Sequence, residues 1–263
     1  MSIENISFSE YRKREGVNSH YLMDLLRSPA HAKWNKDHDH DTPALAFGRA
    51  FHAAILEPTE LLTRFIVAPE DLDRRTNAGK AEYKALLASG KTILTHEDMY
   101  RITCMNAAIR QHATARQLIG EIEAVEQSVF WEMSGVKCKA RLDARAKARV
   151  VDLKSTADAS PHEFARSIIN YRYWIQAAHY LESMYAHEQD VNEFVIIAVE
   201  SAPPFGVAVY SIDQGYIDAG RAKLSTALKL HAECTKTDKW PSYPEKIEPV
   251  LCPAWLAEQE AAS

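Results

Sequence analysis

The sequence predicts a mixed α/β fold in one domain: a mainly helical part over residues 1–120 leads into a sheet-containing core over 121–263. Three observations predict it. VKCKARLD at 136–143 sets small or apolar residues (Val136, Cys138, Ala140, Leu142) against polar ones at every second position, the period of a half-buried strand. EFVIIAVE at 193–200 and GVAVYSI at 206–212 are dense in β-formers and are parted by Pro203-Pro204. Around these strands lie stretches of helical spacing. The order therefore reads helices, a strand run containing a hairpin, a helix, two strands and a last helix, a central mixed sheet flanked by helices.

Along the chain, Ser19 precedes a helical pattern over 20–26 that ends at Ser28-Pro29, and Ser19 is its natural N-cap. A helix start can also receive a terminal phosphate, which leaves Ser19 a second role. A polar connection, NKDHDHDTP at 35–43, follows; its Asp/His alternation reads as a solvated loop. Leu45, Phe47, Phe51, Ala54 and Ile55 have the spacing of a buried helix over 45–56, broken at Glu57-Pro58. RRTNAGK at 74–80 lacks the full spacing of a phosphate-cradling P-loop, so a basic loop near nucleic acid and a plain solvated turn both stay open. Helices are expected over 81–88 and 95–119, the second opened by a Thr95/Asp98 capping pattern. VEQSVFWEM at 125–133 reads as the first central strand, and Gly135 turns it into the strand at Val136. Ser160-Pro161 opens a helical region to about 187, interrupted near Asn170, in which Tyr173, Gln176 and Tyr180 share one face. A final helix over 218–234 precedes a Pro-punctuated tail over 240–253.

Composition narrows the function classes. With 46% hydrophobic and 25% charged residues in a chain of 263, a single sizeable core can form. No apolar run is long enough to span a bilayer and the first residues lack a signal peptide's apolar centre, so a cytoplasmic protein without a membrane partner is expected. The four cysteines are widely spaced, without a C-x-x-C or a neighbouring His pattern, which reads as reduced thiols and argues against a thiolate zinc or iron–sulfur centre. A formal net charge of −5 gives no general attraction to nucleic acid, so a DNA enzyme of this composition must gather its basic residues into a groove.

The chemistry concentrates in residues 136–156. Asp143 ends the polar face of the first strand, and in Val151-Asp152-Leu153-Lys154 the alternation puts Asp152 and Lys154 on one face with Leu153 on the other. Two carboxylates offer hard oxygen ligands to Mg²⁺, and a lysine beside them can position water or meet charge developing on a phosphate. An Asp-x-Lys pair on a strand is also a common surface ion pair of little consequence.

Residues 141–156 resemble the PD-(D/E)xK nuclease signature, with Asp152 where many members carry Glu and Leu142 where the name advertises Pro. More closely, GRAFH at 48–52, LEP at 56–58, FIVAPE at 65–70, RRTNAGK at 74–80, DLKSTAD at 152–158 and YRYWIQAAHY at 171–180 resemble the RecE-type recombination exonucleases, the family of the carboxy-terminal nuclease domain of exodeoxyribonuclease VIII. That resemblance implies a restriction-endonuclease-like core and Mg²⁺-dependent 5′-to-3′ hydrolysis of double-stranded DNA ends in recombination and repair, with Mn²⁺ as a substitute metal. In it Asp143 and Asp152 bind metal, the Leu153 carbonyl is a further ligand, Lys154 handles the water and His52 completes the metal site. Glu126 binds metal through water, and Gln176 and Tyr180, a Q-x-x-x-Y pair, orient the substrate. Ser19, Arg74, Arg75, Lys137, Lys139 and Arg141 are the expected DNA contacts. The resemblance also implies a bacterial or phage-encoded ring-shaped homo-oligomer working with a RecT-like single-strand annealing protein. A site- or structure-specific endonuclease of the same fold and a non-catalytic DNA-binding module are the competing readings.

Overall fold

The computed structural model describes residues 1–38 and 42–252, so residues 39–41 of the Asp/His tract and the tail from Pro253 lie outside the described residues. The chain opens with an edge strand, β1 (Ser2–Glu4), and a short helix, α1 (Phe8–Lys13), fixed by a capping box between Ser7 and Glu10. Helices α2 (Ser19–Arg27) and α3 (Pro29–Asp37) meet at Ser28, which ends the first and caps the second. Two expectations are corrected here. Asn18, not Ser19, is the N-cap of α2, its side chain accepting from the Tyr21 N–H at 2.9 Å, while Ser19 is a buried helical residue. And Pro29 starts a helix as well as stopping one, because its missing N–H costs nothing in the first turn.

Helix α4 (Pro43–Leu56) is capped by Thr42 and is followed by a single turn, α5 (Leu61–Arg64), and strand β2 (Phe65–Val67). The segment expected as a turn at 74–80 holds the start of α6 (Asn77–Ala88), capped by Thr76 through the Gly79 N–H at 3.0 Å. Gly79 is required there: a Cβ would stand 2.1 Å from the Asp73 carbonyl oxygen. Strand β3 (Thr92–Leu94) pairs in parallel with β2 in a separate two-stranded sheet. The single helix expected over 95–119 is two, α7 (His96–Gln111) and α8 (Ala113–Gly120), because His112 leaves the helix and caps the second, Nδ1 accepting from the Ala115 N–H at 3.1 Å.

The main sheet is built by β4 (Ala124–Met133), β5 (Val136–Ala146), β6 (Arg149–Thr156), then, after helices α9 (Pro161–Asn170) and α10 (Tyr173–Ala186), by β7 (Glu193–Glu200) and β8 (Val207–Ser211); helix α11 (Gln214–Thr237) follows. Its strand order is β1-β4-β5-β6-β7-β8. Within this sheet only β6 and β7 pair in parallel, a connection that needs the long crossover through α9 and α10. Ser134 and Gly135, with φ of 52° and 76°, make the tight hairpin turn between β4 and β5. No helix among the described residues is long and apolar enough to cross a membrane.

One face of the sheet packs on α2, α9, α10 and α11, the other on α4, α7 and α8. Helix α10 is buried nearly all round, and Gly220 lets α11 cross it closely, since a Cβ there would meet the Ala178 Cβ at 2.6 Å. The strands β4 and β5 change allegiance part-way. Val129, Trp131, Cys138, Ala140 and Leu142 belong to the first core, whereas Val125, Ala144 and Ala146 pack in the second. The alternation of both strands therefore switches faces at one place, where Glu126 and Asp143 lie across from each other between the pairs Val125–Ala144 and Gln127–Leu142. Glu126 makes the switch with a left-handed backbone, φ 51°, rare for a side-chain-bearing residue inside a strand.

Candidate active site

Asp152 stands on β6, fully buried, and is held from two sides. The Gln176 amide of α10 donates to its Oδ1 at 3.3 Å and to the Tyr180 hydroxyl at 3.1 Å, a pairing made possible by the one-turn spacing of the two residues. Lys154, two residues on along the same strand face, places Nζ 2.5 Å from Asp152 Oδ2. That short ion pair is the contact Oδ2 makes with the protein, and it holds the carboxylate and the ammonium together in a buried place. The Lys154 ammonium also sits over the Tyr173 ring, 4.9 Å from its centroid.

Asp143, at the end of β5's first half, accepts from the Leu153 N–H at 3.0 Å through Oδ2. The same oxygen is 3.4 Å from Nδ1 of His52, whose Nε2 lies 2.9 Å from the Leu153 carbonyl oxygen. The Leu153 carbonyl only accepts, so Nε2 carries a hydrogen; without a metal Nδ1 carries one too, toward the Asp143 carboxylate, which makes the ring a cation, and a bound ion would take the place of that proton. Burial opposes that charge, but Asp143 outweighs it and lifts the His52 pKa to about 9. Burial likewise opposes the charges of Asp143 and Lys154. The His52 cation nevertheless holds Asp143 below the usual carboxylate range, and the two aspartates hold Lys154 above the usual lysine value. Burial, with the repulsion of Asp143, carries Asp152 up to about 6 against the pull of Lys154.

The left-handed turn of Glu126 delivers its carboxylate to the same place. His52, Glu126 and Asp143 each present a ligand atom within 4.8 Å of the others. Burial and the Asp143 charge raise the Glu126 pKa, the mark of two carboxylates crowded together without enough cation between them. The donor set, with the Asp152 carboxylate beside it, suits a divalent ion with oxygen preference, which would neutralise the crowded carboxylates and displace the Nδ1 proton of His52. Asp152 is not one of the three mutually close donors; it adjoins them through Lys154 and through the backbone of Leu153.

The residues expected to contact DNA fall into two groups. Arg141 is not turned to solvent: Nε donates to Glu126 at 2.7 Å, and Nη1 donates to the Ile6 carbonyl and to the Ser128 hydroxyl at 2.8 and 2.9 Å. It positions Glu126. Lys139 is also turned inward, donating to the carbonyls of Tyr11, Arg12 and Arg14, so its charge serves the end of α1 rather than a groove. Ser19 is buried at the start of α2. Lys137, paired with Glu15 at 2.6 Å, remains at the surface. So do Arg74, 4.0 Å from the Tyr83 ring centroid, and Arg75, held by Asp73. Sequence patterning missed the work of Arg141, because alternation assigns a face and not a partner; the odd-numbered cations of β5 share a face and were read alike. It also left Tyr173 without a role, although its place one turn before Gln176 was the available signal.

Residues 17–252 match the model of a family described as a PDDEXK-like domain of unknown function. The chain belongs to that family. Its PDDEXK-like fold is similar over 99% of this chain and 100% of the other to the crystal structure of a "putative exonuclease" from Eubacterium rectale, with a TM-score of 0.66 and 13% identity. At that identity the likeness speaks for the fold. An alkaline exonuclease from Laribacter hongkongensis is 17% identical, covering 72% of this chain and 96% of its own, with a TM-score of 0.30. A phage-related exonuclease from Haemophilus somnus 129PT is 14% identical, covering 86% and 97%, with a TM-score of 0.37. Both of these are too distant in shape to argue from. No curated protein matches the chain. The superfamily suggested by residues 141–156 and the mixed α/β core are thus those of a nuclease-like PDDEXK domain.

Proposed function

We infer that the protein is a metal-dependent nuclease that hydrolyses duplex DNA from its ends, of the RecE type. One observation carries the reading: Lys154 is held against the buried Asp152, beside three donors gathered at the one left-handed residue of the hairpin strands. Backbone strain of this kind persists where surrounding structure enforces it, and it concentrates at working sites.

Asp143, Asp152, Glu126, His52 and the Leu153 carbonyl are the groups that would hold Mg²⁺, which when bound supplies positive charge to the phosphate and makes a coordinated water a stronger nucleophile. The chain's own part is orientation and charge. Two aspartates keep Lys154 protonated, so it acts as a donor that aligns the attacking water and faces the negative charge growing on the phosphate oxygens. Gln176 keeps Asp152 aimed, and Tyr180 keeps Gln176 aimed. Arg141 holds the Glu126 carboxylate at the joint.

The end requirement, the 5′-to-3′ direction, a closed ring of subunits and an annealing partner rest on the RecE resemblance of GRAFH, DLKSTAD and YRYWIQAAHY. Linear duplexes labelled at the 5′ or 3′ terminus, and a closed circle of the same sequence, test the reading in Mg²⁺. Loss of the 5′ label as mononucleotide with the circle left intact is the expected result. Cutting of the circle would assign a site- or structure-specific endonuclease instead, and no hydrolysis in Mg²⁺ or Mn²⁺ would remove the enzyme reading. Sedimentation at working concentration tests the ring, and a monomer that degrades a duplex through a heparin trap excludes it.

A further inference from the structure

Beside the site, away from Glu126, lies a cleft of about 330 Å³ lined by Ser155, Thr156, Asp158, Glu163 and Ser167, with Tyr171 and Tyr173 forming one wall. It has no lysine or arginine in its lining. The Ser160 hydroxyl and N–H hold the Asp158 carboxyl below its usual range, so it is an anion there, and the Glu163 carboxylate accepts from Arg166 at 3.1 Å. A phosphate has no cation to meet in this cleft. A nucleobase does have partners, because hydroxyls and carboxylates accept from its amino and ring N–H groups and tyrosine rings match its flat face.

The wall is built with some care. Tyr173 faces Lys154, and Tyr171 stacks on Tyr173, ring centroids 5.6 Å apart and planes 26° from parallel. Tyr171 is 65% exposed, so it keeps surface free for a further ring. A lone exposed aromatic is ordinary on a protein surface. This one is set by a strained residue: Arg172, between the two tyrosines, has φ 57°. Its guanidinium donates at 2.8 Å to the carbonyl of Met23, far away in sequence on α2. That tie holds the left-handed turn, and the turn brings residues 171 and 173 into one stack.

We propose that Tyr171 and Tyr173 form a stacking step for the nucleobase next to the scissile phosphate, with the adjoining cleft receiving the edge of that base. The proposal deepens the nuclease reading and rests on it. The step lets the site grip a single-stranded or frayed end without added positive charge, which suits a chain of net charge −5.

The test uses the full chain with duplexes carrying 2-aminopurine at successive positions near the end, bound in Ca²⁺ to separate binding from hydrolysis. In wild type and Tyr171→Phe, one position is quenched by stacking; in Tyr171→Ala that quenching is lost, with an unchanged melting temperature because the ring is exposed. In Mg²⁺, Tyr171→Ala raises KM about 10-fold, the cost of one base stack, and changes kcat far less. An abasic residue at the quenched position gives the wild type the same KM penalty and adds none to Tyr171→Ala. Equal quenching and equal KM in Tyr171→Ala and wild type overturn the stacking step while leaving the nuclease reading in place. A wild type that hydrolyses no DNA overturns the nuclease reading, and the quenching in Ca²⁺ still decides whether a base stacks there.

Discussion

Lys139 on β5 and Lys154 on β6 are buried ammonium groups on neighbouring strands of one sheet, and they serve opposite ends. Lys139 is 9% exposed and spends its hydrogen bonds on three neutral carbonyls at the end of α1, at 3.2, 3.3 and 2.6 Å, with the Tyr11 ring beside it. Burial lowers its pKa, and no carboxylate answers. Lys154 is a little more open, its side chain 17% exposed, yet two aspartates raise its pKa above the usual value, and one of them pairs with it directly. Burial is common to both. What separates the two cations is the charge of their partners and whether the group of charges opens onto a cleft.

The largest test of this contrast falls on the Lys154 side. Asp152→Asn and Lys154→Ala should each cut hydrolysis about 100-fold or more, the usual cost of removing a positioned charge from a site of this kind. Circular dichroism and duplex affinity in Ca²⁺ should stay close to wild type. Wild-type rates in Mg²⁺ for either variant would place the chemistry elsewhere.

Next in size is Lys139→Met, which keeps the stem and strips three carbonyls of their donor. Hydrogen bonds to a charged group make this a loss of about 3 kcal/mol in folding stability. It should appear as a lower urea midpoint at unchanged slope, while the folded enzyme keeps its kcat. A variant that stays fully stable but loses DNA affinity would return Lys139 to the groove and break the contrast.

The difference between the two lysines is also the limit of what the sequence carried. Period-two alternation located β5 and β6 and put Asp152 and Lys154 on one face, and a run of β-formers located β7, because strand geometry is local. The one-turn spacing of Gln176 and Tyr180 was legible for the same reason, although nothing in it said that the amide would grip Asp152 at 3.3 Å. Lys137, Lys139 and Arg141 could not be told apart, since their partners Glu15, the α1 carbonyls and Glu126 are all remote in the chain or across the sheet. Glu126 was visible only as an acid near a strand start; its left-handed backbone is imposed by the change of core on both sides of it. Short elements escaped as well. Strand β1 and the pair β2–β3 are three residues each, too few for a period to show.

A third test separates the two sides by pH. His179 of α10 lies behind Lys139, its Nε2 donating to the Lys139 carbonyl at 3.1 Å, so its buried Nδ1 is the bare nitrogen and has no hydrogen-bond partner. Burial depresses this imidazole to about 4, between the rings of Trp131 and Tyr180. In the unfolded chain it titrates near its ordinary value of about 6.5, so between those limits the unfolded state binds the extra proton. Stability is therefore full above pH 6.5 and falls as the pH drops toward 4, by about 2 kcal/mol at pH 5 from this residue alone. Urea titrations at pH 7 and pH 5 should show that loss in wild type and much less of it in His179→Gln. An equal pH slope in both would mean that this ring is not the group that titrates.

The smallest effects belong to the surface cations. Lys137 forms a pair with Glu15 in which the side chains are 65% and 76% exposed, and Arg75 pairs with Asp73 at 90% and 40%. Exposed pairs add almost nothing to a fold, so Lys137→Ala and Arg75→Ala should leave the melting temperature where it is. Their value, if they meet DNA, is electrostatic and additive: each lost phosphate contact should weaken duplex binding alike for every sequence and flatten the dependence of log affinity on log salt by about one. Lys139→Met is the control, because a cation that caps a helix leaves the salt slope unchanged. If Lys137→Ala and Arg75→Ala also leave it unchanged, duplex contact lies on other cations, and net charge −5 is then met by a narrower groove than these two residues describe.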